Sequence, residues 1–240
     1  MVLTKAFYAG IYEITQLQWE LVMAEWNNSS LWSNSDYKFT RPLEQVAHDK
    51  IRGSVAQCGG AWPTNSNVYA DSFMGRLQTK TGLAGFDLPT EAQWEYACRA
   101  GTEGVLNDGT VSLTNANADA RLDLLGRYVW NGGKINGTET PDTDCTTENA
   151  TAAVGSYKPN NWSLYDMHGN VMEWCLDWYT PSLGTTEVID PLGPEEGARR
   201  IKRGGSWKEV AENCRSAVRV DGSPSYWADQ HGFRLFRTLP

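Results

Sequence analysis

No apolar run in the 240-residue chain approaches the roughly 18 residues that a membrane-crossing helix needs, so no membrane segment is expected. The opening residues, MVLTKAFYAGIYEIT, lack the apolar stretch of a secretion signal. There is no Cys-x-x-Cys pair. Cys58, Cys98, Cys145, Cys175 and Cys214 are odd in number and far apart, which argues against a disulfide scaffold and against a zinc ribbon. Reduced, buried thiols and a cytoplasmic location follow as expectations, with a secreted or surface-exposed location if a leader was removed. Basic residues are in deficit, 21 against 29 acidic ones, giving a net charge of −8. Binding to a phosphate backbone needs clustered Lys and Arg, so no nucleic-acid partner is expected. One local run goes the other way: Arg199, Arg200, Lys202, Arg203, Lys208, Arg215 and Arg219 face only Glu209 and Glu212. It is read as buried or half-buried arginines bonded to backbone carbonyls. Histidine is scarce, and His48, His168 and His231 show no spacing for a two-His, one-carboxylate iron site. No P-loop, GxGxxG or Ser–His–Asp arrangement is present.

What the chain does have is glycine (23) and tryptophan (11), a pairing that suggests many turns and rigid rings rather than a helical bundle. FYAGIYEIT (7–15) has the content of a strand. Thr15 and Gln18 make a capping box for a helix with Trp19, Val22, Met23 and Trp26 on its inner face. Residues 41–53 suggest a short strand and a helical turn, and 70–80 an amphipathic helix stopped by Gly82. In FDLPTEAQWEYACRAG, Thr90 and Gln93 form a second capping box, Glu91 suits the helix N-terminus, and Trp94, Ala97 and Cys98 face inward. Glu91 and Glu95 are taken as surface and cap charges. Residues 102–161 are polar and irregular, with short strands expected at 127–131 and 153–157. After a turn at Gly169 the sequence becomes strand-like. With no internal repeat or linker, a single α+β domain over 1–240 is the economical reading.

The segment 203–235, RGGSWKEVAENCRSAVRVDGSPSYWADQHGFRL, is of a different texture. RGGSW, CRSA and GFRL bracket residues that follow neither a helical nor a strand period. Together with LPTEAQWEYACRAG and NWSLYDMHGNVMEWCLDWY, in this order and spacing, these pieces resemble the formylglycine-generating enzyme (sulfatase-modifying factor) family. FYAGIYEITQLQWELVM resembles that family's first strand and helix, so the resemblance covers nearly the whole chain. It implies a variant of the C-type lectin fold: an α+β domain with two main helices, short antiparallel sheets and much irregular structure.

The family's oxidases hold copper through two cysteines a few residues after GGS, and copper(I) favours such thiolates. Here Lys208, Glu209, Val210, Ala211, Glu212 and Asn213 follow, with no cysteine, and Cys214 alone cannot supply a pair. No copper is expected. The family's iron-dependent branch uses a histidine cluster from a further domain, which has no counterpart here. A third branch binds rather than catalyses. The segment 203–235 resembles the C-terminal region of diversity-generating retroelement variable proteins, a fixed frame with free positions between, down to Ala211 and Pro224. That resemblance implies a displayed surface for a protein or cell-surface ligand. Its contact residues would be Trp207, Lys208, Glu209, Val210, Glu212, Asn213, Val218, Val220, Asp221, Ser223, Ser225, Tyr226, Trp227, Asp229, Gln230 and His231. Tyr226 and Trp227 suit contact anchors, since large rings give area at low entropy cost. Adenine-directed mutagenesis of AAC or AAT codons cannot yield Lys208, Glu209, Glu212, Trp227 or Gln230, which would need other template codons or be unmutated. The enzymatic alternative is a family oxidase with a different centre.

DMHGNVMEW resembles the family's calcium-binding turn. The resemblance assigns the Asp166 side chain, the Gly169 and Val171 carbonyls and the Glu173 carboxylate as ligands of a structural Ca2+, a hard cation suited to mixed oxygens. On the residues alone, Asp166 capping the turn and Glu173 pairing with an arginine explain the pattern equally well. Asn131 and Asp144 are candidates for a second site.

Overall fold

A computed structural model describes residues 1–24, 39–132 and 151–239. Asp144 and Cys145 lie outside the described residues. Helix α1 (Gln16–Met23) starts where the sequence says it should: Thr15 accepts from the Gln18 amide at 3.2 Å, and the Gln18 side chain accepts from the Thr15 amide at 2.9 Å. Such a cap is worth about 1 kcal/mol. Short helices α2 (His48–Arg52) and α3 (Val55–Cys58) follow, then α4 (Phe73–Thr81), which stops at a left-handed Gly82. Helix α5 (Glu91–Arg99) carries the second capping box, Thr90 with Gln93. α1, α4 and α5 fall where the sequence places helices, against the two main helices that the family resemblance implies.

The strands are short. β1 (Phe7–Ala9), β2 (Phe86–Asp87) and β7 (Phe236–Thr238) form one antiparallel sheet in the order β1-β7-β2, which joins the two ends of the chain. β3 (Met172–Trp178), β4 (Arg200–Arg203), β5 (Val220–Gly222) and β6 (His231–Gly232) form the other, in the order β5-β4-β3-β6. The β3–β6 pairing is parallel, which departs from the antiparallel expectation. All seven residues of β3 (MEWCLDW) are buried, so both its faces are covered, including the carboxylates Glu173 and Asp177.

Three side-chain clusters hold these parts together. In the first, Trp19 stacks on Phe73 with ring centroids 5.3 Å apart, and Phe233 meets Phe73 edge-on at 5.1 Å. The second sets Trp94, Cys98 and Met167 against Cys175, Ile201 and Phe236. The third gathers Leu106, Leu122 and Tyr128 around Ala211 and Cys214. Each ring fully removed from water contributes about 1.5–3 kcal/mol. Cys58, Cys98, Cys175 and Cys214 are free and buried.

Some local expectations were displaced by tertiary contacts. Residues 41–53 contribute only an isolated bridge, Thr15–Pro42, before α2. Residues 129–132 form a helical turn, α6 (Val129–Gly132), because the Val129 amide donates to the Glu209 carbonyl across the fold and not to a sheet. Residues 153–157 make turns. Glu91, expected at the surface, is buried and bound to Arg219 through two contacts, at 2.5 and 2.9 Å. Among the described residues no helix is long and apolar enough to cross a membrane.

Candidate functional site

The segment 203–235 is built as buried pins with exposed residues between them. Arg203 is fully buried. It donates to the Ser216 carbonyl at 2.9 Å and to the Val218 carbonyl, and it pairs with Glu95. Gly205 lies at φ +73°, and a Cβ there would sit 2.6 Å from the Cys214 sulfur, so the second glycine of GGSW cannot be replaced without moving the loop. Cys214 and Ala211 sit in the third core cluster at full burial. Ser216 donates its amide to the Val105 carbonyl at 2.9 Å. At the far end Phe233 and Arg234 are fully buried. Arg234 reaches the Gly10, Ile11 and Tyr165 carbonyls at 2.7–2.9 Å and the Glu173 carboxylate at 2.8 Å.

Most of the basic run is engaged by the fold; Arg199 departs from the expectation, an exposed side chain paired with Asp221. Arg200 lies 3.2 Å from the centroid of the Trp178 ring and donates to the Leu176 carbonyl. Arg219 donates to the Thr180 carbonyl at 2.7 Å, in addition to its Glu91 pairing. Arg215 donates to the Glu212 carbonyl at 2.7 Å.

Between the pins, Lys208, Glu209, Val210, Asn213, Val218, Val220, Asp221, Ser223, Asp229 and Gln230 are half-buried, and Glu212, Ser225, Tyr226 and Trp227 are exposed. Tyr226 and Trp227 show 60% and 52% of their surface, high for such rings. Trp207 and His231 depart from the expectation. Trp207 is 2% exposed because its indole N–H donates to the Asp229 carbonyl at 2.9 Å, so it ties the loop down and offers no contact face. His231 is 1% exposed, wedged edge-on against Trp174 at 5.3 Å, and cannot be a surface contact residue. The loop is fixed at its base as well: the Gln45 amide donates to the Ala228 carbonyl and the Asp49 amide to the Pro224 carbonyl, both at 3.0 Å.

A pocket of 560 Å³ opens on this face, lined by Arg199, Lys202, Asp221, Gly222, Ser223, Ser225, Tyr226, Gln230 and His231. Arg199 and Lys202 were not among the residues expected to make contacts. Lys202 faces His231 across 29 positions of chain, a proximity no local pattern encodes. Burial pushes Lys202 down to about 8, and burial together with the Lys202 charge pushes His231 down to about 3. A larger cavity of 920 Å³, walled by Trp62, Phe86, Leu88, Leu176 and Phe236, shares no lining residue with 203–235.

The Asp166–Glu173 turn is buried. Asp166 accepts from the Gly155 amide at 2.6 Å, and its other carboxylate oxygen is buried without a partner. Glu173 is occupied by Arg234, and by the Trp94 indole at 2.7 Å. Glu13 joins them, accepting from Asn170 and, at 3.1 Å, from the Val171 amide. Desolvation raises Glu13 well above the carboxylate range and Asp166 to about 6. Asn131, the other candidate, is engaged locally with Tyr128 and Gly126 at 2.8 Å. Among the described residues no three His, Cys, Asp or Glu side chains converge as a metal cluster.

Residues 1–239 match the sulfatase-modifying factor enzyme 1-like domain. The chain belongs to that family. Formylglycine-generating enzymes of Bos taurus and Streptomyces coelicolor are 35% and 36% identical over 159 and 158 residues, 63% of this chain in each case. The aligned parts are 38% and 46% of those enzymes, so the chain spans less than half the length of these curated relatives. Chaperone protein LppX of Paenibacillus barcinonensis is 31% identical over 217 residues, 84% of this chain and 69% of that protein. Among solved structures, variable protein 1 of Treponema denticola superposes with a TM-score of 0.69 at 27% identity, covering 99% of this chain and 86% of that one. PvdO of Pseudomonas aeruginosa superposes at 0.64 and 22% identity over 97% of this chain and 80% of its own, which bears on the fold alone. The fold is thus the C-type lectin variant of the sulfatase-modifying factor family.

Proposed function

We propose that this family member is a non-catalytic binding domain, and that the free positions of 203–235 form its contact face for a protein or cell-surface ligand. The observation that carries the reading is the alternation itself. The pins RGGSW, Cys214 and Ser216 of CRSA, and Gly232–Arg234 of GFRL are buried, while Arg215 and Leu235 are half-buried and Ala217 is exposed; every contact position expected from the sequence, except Trp207 and His231, keeps solvent access. A contact face needs exposed anchors, and the exposed rings of Tyr226 and Trp227 supply them. The likeness to a Treponema variable protein supports the same reading and its extension, that the face is diversified by a retroelement.

The donor set does not fit the family's copper centre. Lys208–Asn213 hold no thiol, and Cys214 is fully buried with its thiol pushed far up by desolvation, the opposite of a metal-ready thiolate. Incubation with copper and a sulfatase-type cysteine peptide tests the oxidase alternative; unchanged peptide mass is expected, and mass loss at that cysteine would sink the binding reading. Encoding DNA with a nearby reverse transcriptase and a near-copy of the 3′ end would support diversification, and the absence of both would remove that extension alone.

Structural Ca2+ rests on a narrower donor set than the DMHGNVMEW motif implies. Three buried carboxylates, Glu13, Asp166 and Glu173, share one guanidinium, and Asp166 has an oxygen to spare. Their excess negative charge calls for protons or a further cation, and Asp166 with neighbouring carbonyls would hold Ca2+. Glu173 would have to loosen from Arg234 to join it.

A further inference from the structure

The floor of the 560 Å³ pocket carries an amine in an unusual setting. Lys202 belongs to β4, between β5 and β3, and is 5% exposed. Among the described residues it forms no ion pair. Its Nζ lies 2.7 Å from His231 Nε2 and 5.1 Å from the centroid of the Trp174 ring. Two protonated nitrogens cannot sit at that separation in a dry site, so the pair carries at most one proton charge between them. Facing groups contribute in both directions: Asp221 and Glu209 favour the ammonium, while Arg199 opposes it. Asp221 is already held by Arg199, and Glu209 by the Asn213 side chain at 2.7 Å, which limits what either offers the lysine. Burial is the largest influence, and it leaves Lys202 near 8, where a usable share of free amine exists at neutral pH. The imidazole is held in place by Trp174 and by the Tyr226 ring, edge-on at 5.8 Å.

We infer that Lys202 is a nucleophilic amine that captures a small carbonyl ligand, an aldehyde or activated ketone, as an imine on the floor of this pocket. The Lys202 lone pair adds to the carbonyl carbon, and the C=O π pair moves to oxygen. The nitrogen releases one proton as the oxygen gains one, and the hydroxyl then leaves as water with the remaining N–H proton while the nitrogen lone pair forms C=N. No oxidant or reductant is consumed. His231 is the positioning residue, fixing the amine at the pocket floor. Tyr226, Ser223, Ser225 and Gln230, all free positions, would form the walls that select the carbonyl. Reactivity would thus sit on the rigid strand and specificity on the loop. The inference deepens the contact-face reading by naming a ligand chemistry for part of that face.

Treatment of the intact protein with propanal and sodium cyanoborohydride, followed by peptide mapping, tests it. At pH 7.5 Lys202 should be alkylated about tenfold faster than Lys5, Lys50 or Lys80, because an amine titrating well below the usual lysine range is deprotonated far more often. Its rate should reach half-maximum near pH 8. The Lys202→Arg variant, with an unchanged melting temperature, should lose that fast site. Labelling of Lys202 no faster than the exposed lysines in the folded wild-type protein would overturn the inference. If that happens while Tyr226→Ala and Trp227→Ala still abolish binding of a partner, the imine chemistry fails and the contact face stands.

Discussion

Removing the guanidinium of Arg234 should be among the most damaging single changes in the protein. The side chain is fully buried, and its hydrogen bonds tie the first strand's exit (Gly10, Ile11), the Tyr165 loop and β3 (Glu173) to the GFRL segment. Arg234→Met keeps the bulk and removes the charge. It leaves Glu173 buried without its counter-charge, beside Glu13 and Asp166. Breaking a buried pair from one side costs about 3–5 kcal/mol. For a chain of this size that is a fall of about 6–20 °C in melting temperature, read by calorimetry or circular dichroism. The effect should depend on pH in a fixed direction. Asp166 titrates near 6 in the folded protein, above its unfolded value, so its folded form holds a proton that the unfolded chain releases. Stability from that proton is present at low pH and lost as pH rises through about 6, and losing Arg234 pushes the carboxyls higher still. The deficit of Arg234→Met should therefore shrink between pH 7 and pH 5. Adding Glu173→Gln should recover part of it, since the stranded charge is then gone. A loss below about 1 kcal/mol at pH 7, or a deficit that grows on acidification, would refute this account of the cluster.

Gly205→Ala should lower stability by about 2–4 kcal/mol, from left-handed strain and the clash with Cys214, whereas Tyr226→Ala and Trp227→Ala should each stay within about 0.5 kcal/mol. Parallel thermal melts compare them, and equal losses at pin and free positions would contradict the division. Millimolar calcium should raise the melting temperature at pH 7.5 and lose that effect in Asp166→Asn; no rise would assign the charge balance of Glu13, Asp166 and Glu173 to protons and Arg234 alone. Cys98, pushed up to about 12 by burial, should resist alkylation in the folded protein and react on unfolding, as read by mass spectrometry.

Features written in short-range chemistry were legible from the sequence. Both capping boxes formed as read, because Thr15 with Gln18 and Thr90 with Gln93 decide a helix start within four residues. Strand β3 was visible as an aromatic, strand-like stretch after the turn at Gly169. The frame of 203–235 was legible as a motif, and burial explains why its members are fixed. What escaped was decided across the fold. Residues 127–131 look strand-forming, yet Val129 bonds to Glu209 and the chain turns helically there. Glu91 and Glu95 read as surface charges, since their partners Arg203 and Arg219 lie more than a hundred residues away. Trp207 and His231 stand among expected contact positions that otherwise keep solvent access, and only the Asp229 carbonyl and the Trp174 ring say which way they turn. Lys202 was hidden in a basic run whose members other than Arg199 are mostly tied into the fold.

The central claim, that the pins carry the fold and the positions between them carry recognition, is tested most directly by selection from two displayed libraries. One randomises Glu212, Ser225, Tyr226, Trp227 and Asp229; the other randomises Gly205, Ser216, Phe233 and Arg234. Each is sorted first for folded display and then for binding to one purified protein, such as a lysozyme. The account predicts that most members of the first library fold and that some bind, and that few members of the second fold at all. Comparable folded fractions, or a well-folded first library with no binders, would contradict it.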